Sequence, residues 1–112
     1  MNLLRRWLWP HTVRSDTLSL YKRGLACGES KDAKGALSAY TSAIELTDAP
    51  DDVKAMALYN RAIIFTAEGA TEKALADLRA VMGLPVSLRV IKPAAKRRLE
   101  RLLNRRCSRG RK

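Results

Sequence analysis

Between residues 18 and 103 the apolar positions recur three and four apart, the spacing of amphipathic helices, and the pattern is broken by glycine, proline and small polar residues. One run holds Leu18, Leu20, Tyr21, Gly24, Leu25 and Cys27 and ends at Gly28. A turn with Ser30 and Asp32 leads to Ala33, Ala36, Leu37, Tyr40, Ala43, Ile44 and Leu46. The cycle then repeats: Leu58 to Phe65 and Ala67, a break at Gly69, then Ala74, Leu75, Leu78, Val81 and Met82, stopped by Leu84 and Pro85. A last stripe, Val90, Ile91, Ala94, Ala95, Leu99, Leu102 and Leu103, predicts a helix within residues 87–106, with Pro93 tolerated in its first turn. Ser15 or Asp16 is the expected N-cap of the first helix, and Asp51 or Asp52 that of the third. The expectation is an all-α chain of two helical hairpins followed by one more helix.

The two hairpins are related by a constant shift. Leu20 and Leu58, Gly24 and Ala62, Cys27 and Phe65, Ala36 and Ala74, Tyr40 and Leu78, and Ala43 and Val81 are all 38 residues apart. Ala62 and Ala74 lack bulk beyond Cβ, which lets two antiparallel helices approach closely. The second copy, with Leu58, Arg61, Ala62, Phe65, Ala74, Leu78, Val81 and Pro85, resembles the tetratricopeptide repeat, a helix-turn-helix unit of about 34 residues. It departs from that pattern in Arg61 for a leucine, Leu78 for an aromatic, Val81 for an alanine, and a proline one place early. The extra length of each period falls in the connection 47–52. The resemblance covers residues 16–86, as repeats at about 16–50 and 54–86, and implies an α-solenoid in which residues 87–106 form a capping helix over the exposed end.

Charge separates the repeats from what is attached to them. The whole chain carries +11, of which residues 1–15 supply +3, residues 16–86 supply −2 and residues 87–112 supply +10. The capping helix is therefore apolar inside and basic outside, with Lys92, Lys96, Arg97, Arg98, Arg101, Arg105 and Arg106 as candidate contacts for an anionic partner. No aromatic residue interleaves with them, so base stacking is not indicated. Residues 107–112 read as a disordered basic tail.

Nothing in the pattern suggests catalysis, a cofactor or a metal. His11 stands alone, no glycine-rich phosphate loop occurs, and Asp51 and Asp52 are explained by their place at a helix start. Cys27 and Cys107 are far apart, which argues against a disulfide framework and for a reducing, cytoplasmic setting. Cys27 reads as a small buried thiol. No apolar run is long enough to span a bilayer. Residues 1–9, MNLLRRWLW, place Leu4, Trp7 and Leu8 on one face. Folding back on the domain, lying on a membrane surface, and acting as a leader are open readings for them.

The resemblance also implies a binding surface. In the family the first helix of each repeat lines a concave groove, which assigns Leu18, Tyr21, Leu25, Met56, Tyr59, Asn60 and Ile63 to it. Members that grip a C-terminal carboxylate use lysines and asparagines; Asn60, Lys92 and Lys96 fit that scheme, while Tyr21 and Leu25 stand where a lysine and an asparagine belong. An apolar groove suits a peptide or amphipathic helix instead. With only two repeats, extra burial must come from the N-terminal segment, the basic helix or a second copy of the chain. The expectations are thus a protein-binding adaptor or, alternatively, a small nucleic-acid-associated factor acting through residues 92–112.

Overall fold

Thr12 sets the beginning of the first helix. Its Oγ1 accepts the Ser15 N–H at 3.1 Å, and its carbonyl accepts the Asp16 N–H at 3.1 Å. The helix therefore starts at Val13, and Ser15 and Asp16, the expected caps, lie inside its first turn, Asp16 favourably placed against the positive end of the helix dipole. The computed structural model describes residues 12–85 and 90–110. The expectations for residues 1–9, His11, Arg111 and Lys112 lie outside the described residues.

Five helices follow one another: α1 (Val13–Glu29), α2 (Ala33–Glu45), α3 (Asp51–Ala67), α4 (Thr71–Met82) and α5 (Ile91–Gly110). No strand occurs among the described residues, so the all-helical expectation holds. Two compact units divide the chain between Lys54 and Ala55.

In the first unit α1 and α2 form a hairpin. Its turn is a Schellman closure: the Asp32 N–H reaches the Cys27 carbonyl at 2.8 Å, the Lys31 N–H reaches the Gly28 carbonyl at 3.1 Å, and Lys31 takes a positive φ of 61°. Asp32 then serves at once as the N-cap of α2, accepting the Gly35 N–H at 2.9 Å. Gly24 makes the close approach. A Cβ there would meet the Tyr40 ring at 2.4 Å, so the ring lies where any larger residue would have to stand. Tyr40 is 2% exposed, with Ala36, Ala39 and Ala43 buried beside it on the same face of α2. Thr17 is also buried, and its hydroxyl is satisfied by donating to the Val13 carbonyl at 2.6 Å. Arg14 and Asp52 close the unit on its surface with a bidentate pair, 2.7 and 3.1 Å.

The second unit repeats the turn bond for bond. The Ala70 N–H reaches the Phe65 carbonyl at 2.8 Å, the Gly69 N–H reaches the Thr66 carbonyl at 3.1 Å, and Gly69 has φ 78°. Each donor, each acceptor and the left-handed residue is the counterpart, 38 positions on, of one in the first turn. Here a glycine holds the left-handed position at no steric cost, whereas Lys31 holds it with a side chain. Ala62, Ala74, Leu75, Leu78 and Val81 are all buried, and Ala62 and Leu78 are the counterparts, 38 positions on, of Gly24 and Tyr40.

Several boundaries differ from the sequence-based expectation. The amide of Lys54 bonds the Pro50 carbonyl at 2.9 Å, which puts Asp51 and Asp52 in the first turn of α3 and not at its cap. Leucine periodicity placed the last helix over 87–106; α5 instead runs from Ile91 to Gly110, so residues 107–110 are helical and not a disordered tail. Once a helix exists, adding residues needs no new nucleus, and the low helix propensity of Ser108 does not stop it. Pro93 falls in the first turn, as expected. Cys27 is half-buried, not buried, and faces the start of α2 near Gly35.

Candidate functional site

The residues assigned to a groove divide into two sets, each on its own helix. On α1, Leu18 and Leu25 are half-buried, while Tyr21 is only 7% exposed and its ring lies 5.9 Å from that of Tyr40, at a tilt of 39°. Tyr21 is thus a packing residue of its own hairpin and offers a ligand little surface. On α3, Met56 is 41% exposed, and Asn60 donates from Nδ2 to the Met56 carbonyl at 2.8 Å. Ile63 is half-buried.

Tyr59 and Arg98, assigned by sequence to different surfaces, meet. Arg98 on α5 donates from Nε to the Tyr59 hydroxyl at 3.0 Å, and its guanidinium carbon lies 5.6 Å from the centre of the Tyr59 ring. The tyrosine is therefore covered by a cation from the basic helix, which gains a hydrogen bond and a favourable ring contact.

Packing of α5 against α4 positions the rest of the basic helix. Ala95 and Leu102 are buried along its inner side, and Arg106 pairs with Glu72 of α4 at 2.7 Å. Lys96, Arg97, Arg101 and Arg105 are exposed, and Lys92 is half-buried. Arg98, Arg101 and Arg105, at i, i+3 and i+7 of α5, line a shallow cleft together with Leu102 and Thr66 of α3. The Thr66 hydroxyl is spent on the Ala62 carbonyl at 2.8 Å, so the cleft's proton donors are guanidinium groups. Among the described residues no carboxylate pairs with any of these three arginines.

A second arginine has the opposite fate. Arg61 on α3 donates from Nε to Asp77 Oδ2 at 2.7 Å and from a terminal amino group to Oδ1 at 2.6 Å, and its guanidinium lies 5.5 Å from the Phe65 ring centre. Both side chains are largely buried, at 18% and 6% exposure. This pair ties the two helices of the second hairpin together and was not anticipated from the sequence. The first copy has Arg23 and Ala39 at the counterparts of Arg61 and Asp77, so the anion is peculiar to the second hairpin.

No cluster of metal-binding side chains occurs among the described residues. No described helix is long and apolar enough to cross a membrane. Compared with known protein families, curated proteins and solved structures, the chain matches none.

Proposed function

We propose that the chain is a non-enzymatic interaction module of tetratricopeptide-like design, two repeats capped by α5, which takes a protein or peptide partner against the first helices of its repeats in a reducing, cytoplasmic setting. The observation that supports this reading is the recurrence of one hairpin turn, with the same hydrogen bonds and the same left-handed position, at a shift of 38 residues. Duplicated helical hairpins serve chiefly as scaffolds for binding faces. Met56, the most exposed of the assigned groove residues, is the natural probe. Partner capture with the full chain and with Met56→Glu as baits, quantified side by side, should show at least one protein retained by the first and lost from the second. Identical capture by both baits overturns the assignment of the α3 face.

A second reading, nucleic-acid association through α5, draws on a different observation: Arg98, Arg101 and Arg105 share a cleft and have no carboxylate partner among the described residues. Exposed arginines in such a row neutralise phosphates and release counterions, giving affinity that falls steeply with salt. Binding of a labelled mixed-sequence RNA and of a DNA duplex, followed by fluorescence polarisation from low to physiological salt, tests it. Loss of all binding at modest salt leaves α5 as a cap alone.

A further inference from the structure

The geometry points to a discrete phosphate seat in the cleft of Arg98, Arg101 and Arg105, which fixes the register of a nucleic-acid backbone on α5. The inference rests on the nucleic-acid reading above and goes beyond it, because general attraction by a basic helix needs no particular arginine. Three features set this cleft apart from the remainder of the basic surface.

Arg98, Arg101 and Arg105 line one concavity, whereas Lys96 and Arg97 are exposed and line no part of it. Like charges one turn apart on a helix repel, and the arrangement gains when an anion sits between them. Arg98 is also held in place. Its Nε is committed to the Tyr59 hydroxyl, and its guanidinium carbon lies over the Tyr59 ring. The remaining two amino groups form the fork that matches two oxygens of a phosphate. Finally, no carboxylate lines the cleft, and Glu72 of α4 is bound by Arg106, which is not one of its arginines. The Thr66 proton is committed to the Ala62 carbonyl, which leaves the guanidinium groups as the donors of the cleft.

A phosphodiester backbone is favoured over an isolated phosphate group by what surrounds the seat. Residues 87–112 carry +10, and α5 extends as one helix from Ile91 to Gly110. At a rise of about 1.5 Å per residue, that is roughly 30 Å of basic surface, long enough to follow a run of phosphates beyond the one that is seated.

The test compares two double variants with the same loss of charge, both at exposed positions: Arg101→Gln with Arg105→Gln in the cleft, and Lys96→Gln with Arg97→Gln outside it. Circular dichroism establishes that each keeps its helices. Labelled mixed-sequence RNA is titrated with the full chain near physiological salt, and inorganic phosphate is titrated while the Arg98 Nε–H signal is followed by NMR. The seat predicts that the cleft variant loses about tenfold more RNA affinity than the other, and that phosphate shifts the Arg98 signal only when Arg101 and Arg105 are present. Equal losses in the two variants overturn the seat while leaving nucleic-acid association standing. A phosphate-dependent shift without RNA binding overturns the nucleic-acid reading, retains the cleft as an oxyanion site and points to a phosphorylated protein or lipid. Neither response overturns both.

Discussion

Arg98 Nε lies 3.0 Å from the hydroxyl of Tyr59, with the guanidinium carbon 5.6 Å from the ring centre, so one arginine of the basic helix is bound twice by one tyrosine of α3. The two contributions can be separated. Tyr59→Phe keeps the ring and removes the hydrogen bond, and at this half-buried position it should lower stability by about 1 kcal/mol. Tyr59→Leu removes the ring contact as well and should cost roughly a further 1 kcal/mol. Urea denaturation of both variants checks the order; equal midpoints for the wild type and Tyr59→Phe rule out a contribution from the hydrogen bond.

The buried Arg61–Asp77 pair predicts a strong asymmetry between breaking it and replacing it. Asp77→Ala leaves a guanidinium without its anion and should destabilise the second hairpin by about 3 kcal/mol. Replacing both residues with leucine should cost far less, because no charge is then left buried. A double-mutant cycle by chemical denaturation gives the coupling directly.

Gly24 and Tyr40 form a size match that a single substitution upsets. Alanine at position 24 gains about 1 kcal/mol of helix propensity over glycine, but its Cβ would stand 2.4 Å from the ring. Overpacking of that kind costs about 2 kcal/mol, so Gly24→Ala should be a net loss. Adding Tyr40→Leu recreates the alanine and leucine of the second unit and should restore part of it, seen as a recovery of the melting temperature.

The two left-handed turn residues predict effects of opposite sign. Lys31 adopts φ 61° with a side chain and Gly69 adopts φ 78° without one. Lys31→Gly should raise stability, and Gly69→Ala should lower it, each by up to about 1 kcal/mol. Nothing lies within 4 Å of a Cβ added at Gly69, so any loss there reports the backbone alone.

Two groups of the first unit have ionisation shifted by the fold. The hydrogen bond from Arg14 holds the Asp52 carboxyl below its ordinary value, against a smaller opposing effect of burial. A carboxyl whose folded value is lowered contributes stability above its unfolded value, and that contribution is lost as pH falls through the folded one. Arg14→Gln should therefore flatten the acid limb of the stability profile. Burial pushes Tyr40 from 10.0 up to about 12, with Tyr21 and Cys27 adding to it. Its contribution is complete below 10.0 and is lost as pH rises toward about 12. Tyrosinate absorbance should show a late-titrating component that Tyr40→Phe removes.

Helix number, the hairpin breaks at Ser30–Asp32 and Gly69, and the small residues at positions 24 and 62 were legible because each is written in local periodicity or in a residue with special backbone needs. The caps were less so. Thr12, Ser15 and Asp16 can all cap, and only the position of the Ser15 amide selects Thr12. The Arg61–Asp77 pair was hidden for another reason. A polar residue on a helix reads as surface, and its partner lies 16 positions away across the turn. Tyr59 and Arg98, 39 apart, were each recognised as candidates but sent to separate surfaces, since nothing local indicates which distant side chain will cover a tyrosine.

A chain that contains the same hairpin twice faces a hazard that a unique fold does not: a first helix can fold against the wrong second helix, within one molecule or between two. The glycine under Tyr40 guards against this. If α3 were to take the place of α1 against α2, Ala62 would bring its Cβ to where Gly24 leaves room for the ring. In the reverse exchange α1 would meet Asp77 with Arg23 in place of Arg61 but would leave a gap between Gly24 and Leu78. The unequal division of bulk between the two copies thus works as a lock and key for self-assembly, keeping each helix with its own mate in a sequence whose symmetry would otherwise permit a swap.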